Sequence, residues 1–269
     1  MRLLGLVFGA GLLGLAMAAL ILLLAPSVAP HAATVSEGQT RSATPTRLAL
    51  LEPPAPRRSP DLPWSPRARR RRLRRDRSLR AVWREVCRRF PGPEDADLIV
   101  VDIRTETLTL LHHGRIVHAW PVSTALRGAD QVANSDGTPI GVFRVARKIG
   151  AGLPPDEVLR DQVPTGRFVA PVRVADDPAA SRWITTRILW LSGLQPGWNE
   201  GGDDDTFRRH IYIHGTADLG MLGRPASQGC VQMAPRAVIA LYRAVPAGTP
   251  VLITPGTQPL AELPGPAMG

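Results

Sequence analysis

From residue 97 onward, short apolar runs alternate with turn residues, and this spacing constrains the fold more than any other feature. The runs are rich in β-branched residues and too short for helices, so they predict strands. The predicted strands cover residues 98–103, 107–112, 115–122, 142–146, 183–191, 210–214 and 250–253. Residues 234–245 have helical spacing instead, and Pro246 ends this helix. Because strands and helices do not alternate, we expect a mostly β sandwich or barrel with one or two helices over residues 97–254.

Two segments of this part of the chain lack apolar periodicity. Residues 147–182 are rich in glycine, proline and charge. A stretch of this length inside a domain is typical of a lid or a substrate loop, and residues 156–162 could form a short helix within it. Residues 255–269, rich in proline and glycine, are expected to form a flexible tail.

The N-terminal residues 1–26 are predicted to be a transmembrane anchor or a signal peptide. Residues 3–25 contain no charged residue and are long enough to cross a bilayer. A cut after Ala29 would leave Pro30 at the new terminus, which favours the anchor. In both cases the domain would lie on the periplasmic side of the cell envelope, either anchored in the inner membrane or exported. Residues 27–77, rich in proline and then arginine, are predicted to be a disordered linker.

The net charge of +10 comes from one local run of arginines. Residues 57–90 hold fourteen arginines and three acidic residues, whereas the chain from residue 94 holds 16 basic and 18 acidic residues. Because the predicted domain is near neutral, no nucleic-acid partner is expected. Residues 78–92 predict a basic amphipathic helix. Two alternatives stay open: its apolar stripe packs on the domain, or residues 67–89 contact anionic lipid or another envelope polyanion.

Two cysteines, Cys87 and Cys230, exclude a disulfide scaffold and a cysteine-rich metal site. Cys87 falls on the apolar stripe and is expected to be an inert, buried thiol. Cys230 follows Gly229 and precedes the predicted helix, a setting that activates a thiol as a nucleophile. Its natural partner is His214, sixteen positions earlier at the end of a strand. His210 lies roughly 13 Å from His214 along the strand, so we expect neither a metal nor a cofactor.

Two motifs resemble the catalytic signature of the L,D-transpeptidase (YkuD) family. They are Ile213-His214-Gly215-Thr216 and Ser227-Gln228-Gly229-Cys230-Val231, in the family's order and at its spacing. A turn at residues 138–141 and a hairpin at residues 113–114 also match, so the resemblance covers about residues 97–254. Two positions depart from the family's pattern: Gln228 stands where histidine is usual, and Gln232 where arginine or asparagine is usual.

The resemblance implies a cysteine-dependent transpeptidase that acts on peptidoglycan stem peptides. The Cys230 thiolate would attack the carbonyl after the third stem residue, release the terminal D-alanine and form a thioester that an amine then resolves. His214 would act as general base and acid. The backbone carbonyl of Gly215 would hold its imidazole.

The resemblance also assigns roles to neighbouring residues. Ser227 would orient His214 or the turn, and the backbone N–H groups of Gly229 and Cys230 would stabilise the oxyanion. The residues that would contact the substrate are Gln228, Gln232 and Tyr212. The missing charge at Gln232 puts the usual contact with the stem carboxylate in question.

Two alternative functions use the same residues. Water could resolve the thioester, which would make the protein an L,D-carboxypeptidase or an amidase. Alternatively, Gln228 and Gln232 could mark a non-catalytic wall-binding module. The sequence leaves the acceptor amine open between a second stem, a free D-amino acid and a protein lysine.

Overall fold

The structure, a computed structural model, describes residues 66–90, 97–173 and 183–256. All of them belong to one compact unit, Arg58–Gly269. The predicted N-terminal anchor or signal, most of the predicted linker and nearly all of the predicted tail lie outside the described residues. Within the described residues, no helix is both long and apolar enough to cross a membrane.

Ten strands and two α-helices form in these residues, together with one short 3-10 helix at Leu219–Met221. The α-helices are α1 (Pro66–Arg89) and α2 (Pro235–Ala244). The first five strands are β1 (Asp97–Asp102), β2 (Thr107–His112), β3 (Arg115–Ser123), β4 (Gly141–Ile149) and β5 (Glu157–Arg160). The others are β6 (Val163–Phe168), β7 (Ile184–Gly193), β8 (Tyr212–Gly215), β9 (Val231–Met233) and β10 (Pro250–Thr254). The expectation of a mostly β domain with one or two helices is confirmed.

Eight of the strands close into a barrel. Their order is β4-β10-β1-β2-β3-β9-β8-β7, and β4 pairs again with β7, which completes the ring. Strands β5 and β6 extend the sheet outward from β7. Each ring strand supplies at least one apolar residue to a single large core, and α2 adds Val238 and Leu241 to it. Closure therefore leaves no free edge in the ring and encloses the main core.

Strand β1 is buried on both faces, which explains its continuous apolar run. Ile99 and Val101 belong to the main core, whereas Leu98 and Val100 belong to a second cluster on the other face. Alternate residues of a strand point to opposite faces, so both faces of β1 need a covering layer. The second layer is α1.

The hairpin between β2 and β3 turns at His113 and Gly114, as the sequence predicts. Both residues have left-handed φ values, +48° and +70°, and His112 pairs with Arg115 across the turn. This backbone matches the right-handed twist of the flanking strands. The absence of a side chain at Gly114 also lets α1 pack closely on the turn, because an added Cβ would lie 3.0 Å from the ring of Trp83.

Helix α1 begins at Pro66, so residues 66–77 are helical rather than part of a disordered linker. Its apolar stripe packs on the barrel with Leu98, Val100 and Leu111, as the first of the two alternatives predicts. The stripe consists of Leu79, Val82, Trp83, Val86 and Phe90. Packing stabilises the C-terminal half of the helix. Because arginine is a good helix former, the helix extends from there back to Pro66, which begins it.

Strands β5 and β6 replace the short helix that residues 156–162 suggested. The two strands form a hairpin whose turn is Asp161 and Gln162, with φ values of +49° and +65°. Neither residue is glycine, so the sequence lacks the usual signal for such a turn.

Cys87, on α1, is half-buried rather than fully buried as the sequence predicts.

We predict that Val86→Ala lowers the free energy of unfolding by about 1–3 kcal/mol, because this side chain is fully buried between α1 and the barrel. The matched control is Leu73→Ala on the exposed part of the same helix, with an expected change below about 0.5 kcal/mol. Chemical denaturation of both variants measures the difference. Equal effects would contradict the packing of α1 on the barrel.

Candidate active site

The pairing of β8 and β9 brings the two signature motifs together. The strands run parallel, with Ile213 opposite Val231 and His214 opposite Gln232. Cys230 comes directly before β9 and therefore lies beside the start of the neighbouring strand β8. His214, Cys230 and Gln232 line one cavity of about 630 Å³. The histidine and the cysteine that the sequence singled out thus open into a common space.

His214 is held as a neutral base. Its ring is buried, and Nδ1 lies 2.8 Å from the carbonyl oxygen of Gly215. A carbonyl only accepts, so Nδ1 carries the hydrogen and Nε2 keeps its lone pair. Burial lowers the pKa of His214 to about 4, against the opposing effect of the Gly215 carbonyl. The imidazole is therefore uncharged at neutral pH and ready to accept a proton at Nε2.

Cys230 is held as a neutral thiol. Its Sγ lies 3.4 Å from the backbone nitrogen of Tyr212 and 3.5 Å from the carbonyl oxygen of His210. Burial raises the pKa of the thiol to about 11, while the Tyr212 N–H and the Arg209 charge lower it. Among the described residues, no hydrogen bond joins Sγ to His214. The thiol must turn from the His210 carbonyl toward the imidazole before its proton can move.

Ser227 orders the turn that carries the nucleophile. Its hydroxyl donates to the carbonyl oxygen of Cys230 at 2.5 Å and accepts the N–H of Gly229 at 3.2 Å. Of the two roles expected for Ser227, the structure therefore shows the contact with the turn. The Gly229 N–H is already engaged, so an oxyanion would compete with Ser227 for it. The N–H of Cys230 donates to no described residue, which makes it the more available donor.

Glycine is needed at position 229 for two reasons. Its φ is +113°, and an added Cβ would meet the carbonyl oxygen of Gly137 at 3.1 Å and Ile211 at 3.3 Å. The turn thus lies against a second loop, residues 128–138, at a distance that a side chain would prevent.

A buried carboxylate also helps to position the turn. The carbonyl oxygen of Thr124 accepts the N–H groups of Ala226 and Ser227 at 2.8 and 2.9 Å. Thr124 in turn donates to Glu106 through its N–H at 2.7 Å and its hydroxyl at 2.6 Å. Burial raises the pKa of Glu106, against the effect of these hydrogen bonds. No sequence pattern indicated Glu106, because its partner is eighteen positions away and neither residue belongs to a motif.

Arg209 is a second site residue that no sequence pattern indicated. Its half-buried guanidinium donates to the carbonyl oxygens of Gln131 at 2.6 Å and Gly137 at 3.0 Å. Burial lowers its pKa, and the negative charges of Asp204 and Asp130, as well as that of an ionised Cys230, oppose this. Arg209 therefore braces the loop behind Gly229 and places a positive charge near the thiol. The contact with Gly137 joins residues 72 positions apart, too far for local spacing to reveal.

The three predicted substrate residues occupy different environments. Gln228 is exposed and Gln232 is buried, and both line the cavity. Tyr212 is not among the described residues that line the cavity, so its contact with the substrate stays a prediction. Its ring packs against Trp190 with centroids 5.3 Å apart, and its hydroxyl accepts the amide N–H of Gln162 at 2.7 Å. The group of Tyr212 that donates to Sγ of Cys230 is its backbone N–H, and not its ring hydroxyl.

The predicted lid approaches the site from the side of Tyr212, where Leu159 belongs to the same apolar cluster as Tyr212 and Cys230. Gln162, in the β5–β6 turn, bonds Tyr212 next to Cys230. The described residues 147–173 do not line the cavity. The lid therefore stays a prediction.

In the described part of the chain, no cluster of three or more His, Cys, Asp or Glu residues could hold a metal ion.

The comparisons with known proteins agree with the signature. The family model for the YkuD L,D-transpeptidase catalytic domain matches residues 96–253. A relative from Bacillus subtilis (strain 168), named "Putative L,D-transpeptidase YqjB", is 26% identical over 174 residues, which cover 64% of this chain and 79% of the relative.

Solved structures give weaker matches. An L,D-transpeptidase from Mycobacterium smegmatis is 18% identical, with a TM-score of 0.36, over 59% of this chain and 58% of that one. An L,D-transpeptidase from Xylanimonas cellulosilytica DSM 15894 is 19% identical, with a TM-score of 0.34, over 61% and 64%. The chain thus spans less than two thirds of either solved structure.

We predict that Arg209→Met raises the apparent pKa of the Cys230 thiol by about one pH unit, because the variant loses a positive charge that favours the thiolate. The rate of iodoacetamide alkylation, followed against pH in a Cys87→Ser background, measures it. The matched control is Arg208→Met, which removes a neighbouring exposed arginine. If both variants shift the profile equally, the effect is general charge and not the Arg209 contact.

We also predict a pH dependence of stability that belongs to His214. Its folded pKa of about 4 lies below the ordinary value of 6.5, so the unfolded chain binds the proton first. This contribution is therefore complete above pH 6.5 and is lost as the pH falls toward 4, with a total on the order of 3 kcal/mol. Denaturant unfolding across this pH range should show a shallower loss for His214→Gln than for wild type. The exposed His118→Gln variant should keep the wild-type slope, and a His214→Gln slope equal to it would contradict the prediction.

Proposed function

Because this chain belongs to the family of L,D-transpeptidase catalytic domains, we propose that it is an L,D-transpeptidase that cross-links peptidoglycan stems through a thioester on Cys230. The observation that carries the proposal is the cavity shared by a thiol and a neutral imidazole whose Nδ1 is fixed by Gly215. A nucleophile, a base with a free lone pair and a carbonyl that orients the base are the parts that thiol acyl transfer requires.

In the acylation step, the Sγ–H proton of Cys230 passes to Nε2 of His214 as Sγ bonds to the carbonyl carbon after the third stem residue. The N–H of Cys230 stabilises the oxyanion. The tetrahedral intermediate collapses, the C–N bond breaks, and the leaving D-alanine amine takes the proton from His214. The product is a thioester on Cys230.

In the second step an amine attacks the thioester, and His214 accepts a proton from that amine. The C–S bond breaks, and the sulfur recovers the proton. A new amide joins the two stems, and Cys230 and His214 return to their neutral forms.

The pKa shifts bear on the timing of proton transfer. Burial raises the pKa of Cys230 and lowers that of His214, so the neutral pair is favoured over a thiolate–imidazolium pair. A preformed ion pair is thus disfavoured in the resting site. Proton transfer is therefore coupled to attack on the bound substrate, which protects the thiol from reactions without substrate.

Arg127 is a candidate for binding the carboxylate of the stem peptide. Gln232 is neutral and cannot form an ion pair with that carboxylate. Its side chain lines the same cavity as His214 and Cys230. Its only ion pair with a described residue is a long one, 3.8 Å to the exposed Asp136. A pair this exposed is weak, so the guanidinium can exchange it for a substrate carboxylate. In this proposal the recognising charge lies on the loop after β3, and Gln232 adds neutral hydrogen bonds.

The proposed place of action is the periplasmic side of the cell envelope, where stem peptides are found. Its support is the uncharged segment 3–25, which is long enough to anchor or export the chain.

The test is incubation of the full chain with disaccharide-tetrapeptides, followed by mass spectrometry of the products and of the protein. We expect linked dimers and a protein adduct on Cys230. Cys230→Ser should lower turnover at least about a thousandfold, because a serine hydroxyl is far less ionised than a thiol beside the same base. Cys87→Ser is the matched control and should keep wild-type turnover.

Three outcomes would contradict the proposal. Clipped monomers without dimers would indicate hydrolysis of the same thioester. No adduct at Cys230 would indicate a wall-binding module. Turnover of Cys230→Ser within about tenfold of wild type would exclude Cys230 as the nucleophile.

A further inference from the structure

A second cleft of about 690 Å³ lies between α1 and the start of β3, formed by a different set of residues from the catalytic cavity. Its charged lining consists of Arg71, Arg72, Arg75, Arg80, Arg115 and Asp76. Five of these six groups are cationic. Arg115 belongs to the barrel and the others to the helix, so the cleft is assembled by the fold and not by the arginine run alone.

The helix presents its cleft arginines as two rows. Arg71 and Arg75 are four positions apart, and so are Arg72, Asp76 and Arg80. Residues at this spacing lie on one side of a helix. The apolar stripe of α1 is already covered by the barrel, so the arginines are held outward and the helix cannot turn them inward.

The turn between β2 and β3 sets how closely the two walls approach. An added Cβ on Gly114 would lie 3.1 Å from the side chain of Arg80 and 3.0 Å from that of Trp83. On the same helix, Arg75 donates to the hydroxyl of Thr109 in β2 at 3.1 Å. These contacts fix the helix against the hairpin, and the cleft therefore has a defined width.

Within the described structure, Asp76 offsets only a small part of the positive charge of the cleft. The carboxylates of the described residues form no salt bridge with any of its five arginines, although such pairs do occur elsewhere, as between Arg88 and Glu85 at 2.8 Å. All five arginines are exposed. A concave surface that gathers charge of one sign focuses its electric field and attracts counterions of the opposite sign.

We propose that the α1–β3 cleft is a binding site for phosphate groups. A guanidinium presents two parallel N–H donors that match two phosphate oxygens, and several such groups around one cleft suit a multiply charged phosphate better than a single carboxylate. The phosphate could come from anionic lipid headgroups or from a soluble phosphate ester. Both sources offer the same oxyanion to the same arginines.

The test uses the full chain with two probes, in neutral detergent for the soluble probe and after removal of the detergent for the vesicles. Calorimetric titration with pyrophosphate tests the soluble source. Flotation with phosphatidylcholine vesicles, with and without phosphatidylglycerol, tests the lipid source, and the difference between the two vesicle types removes binding through residues 3–25. The double variant Arg71→Gln, Arg115→Gln takes one arginine from each wall.

The matched control is the double variant Arg144→Gln, Arg236→Gln, which removes the same charge from an exposed strand position and an exposed helix position outside the cleft. We expect the cleft variant to weaken binding at least about tenfold, the effect of losing one hydrogen bond between charged groups, while the control stays near wild type. Added salt should weaken wild-type binding.

Loss of pyrophosphate binding, of phosphatidylglycerol-dependent flotation, or of both, in the cleft variant alone supports the proposal and identifies the source. Equal loss in both double variants would show a general effect of net charge and overturn it. Binding that the cleft variant leaves intact, or wild type that binds neither probe, would overturn it as well. Thermal unfolding of each variant confirms that the exposed substitutions leave the fold in place.

Discussion

The parallel pairing of β8 with β9 is the constraint on which the site depends. Parallel neighbours cannot be joined by a tight turn, so the chain must leave β8 after Gly215 and return before Val231. The crossover carries Ser227, Gly229 and Cys230 and delivers the cysteine beside the histidine strand. Closure of β4 onto β7 holds β8 within the barrel wall, so the crossover has a rigid base at both ends. The spacing between the two signature motifs is thus a geometric requirement of the topology.

Two charged side chains outside the motifs hold this crossover in place. Glu106 fixes Thr124, whose carbonyl holds the backbone before the cysteine, and Arg209 fixes the loop against which Gly229 packs. Each is buried or half-buried, and each satisfies backbone groups of loops that no strand could pair. Buried charge is costly unless it is well bonded, so these residues are suited to hold irregular backbone in one conformation. The neutral Cys230–His214 pair then needs no charged partner of its own in the resting site.

Local patterns predicted much of this structure and failed where contacts are distant or turns lack glycine. The β1–β3 meander, α2 and the two motifs follow from period, turn residues and spacing, which act over a few positions. The β5–β6 hairpin was missed because Asp161 and Gln162 adopt left-handed backbone without glycine. The start of α1 was placed too late because a dense arginine run suggests self-repulsion, whereas packing of its second half on the barrel stabilises the whole helix. Glu106 and Arg209 act across the fold, and no local pattern encodes that.

The positive charge of the protein is concentrated on α1, whereas the barrel is near neutral. The chain from residue 94 holds 16 basic and 18 acidic residues, so its acidic excess of two is too small to balance the arginines of the helix. An arginine helix that balanced an acidic domain would form ion pairs with it, yet in the described residues the cleft arginines form none. Holding like charges together on one helix costs free energy, and the apolar stripe offsets that cost by binding the helix to the barrel. The barrel thus stabilises a concentrated positive surface whose arginines form no salt bridge with the described carboxylates.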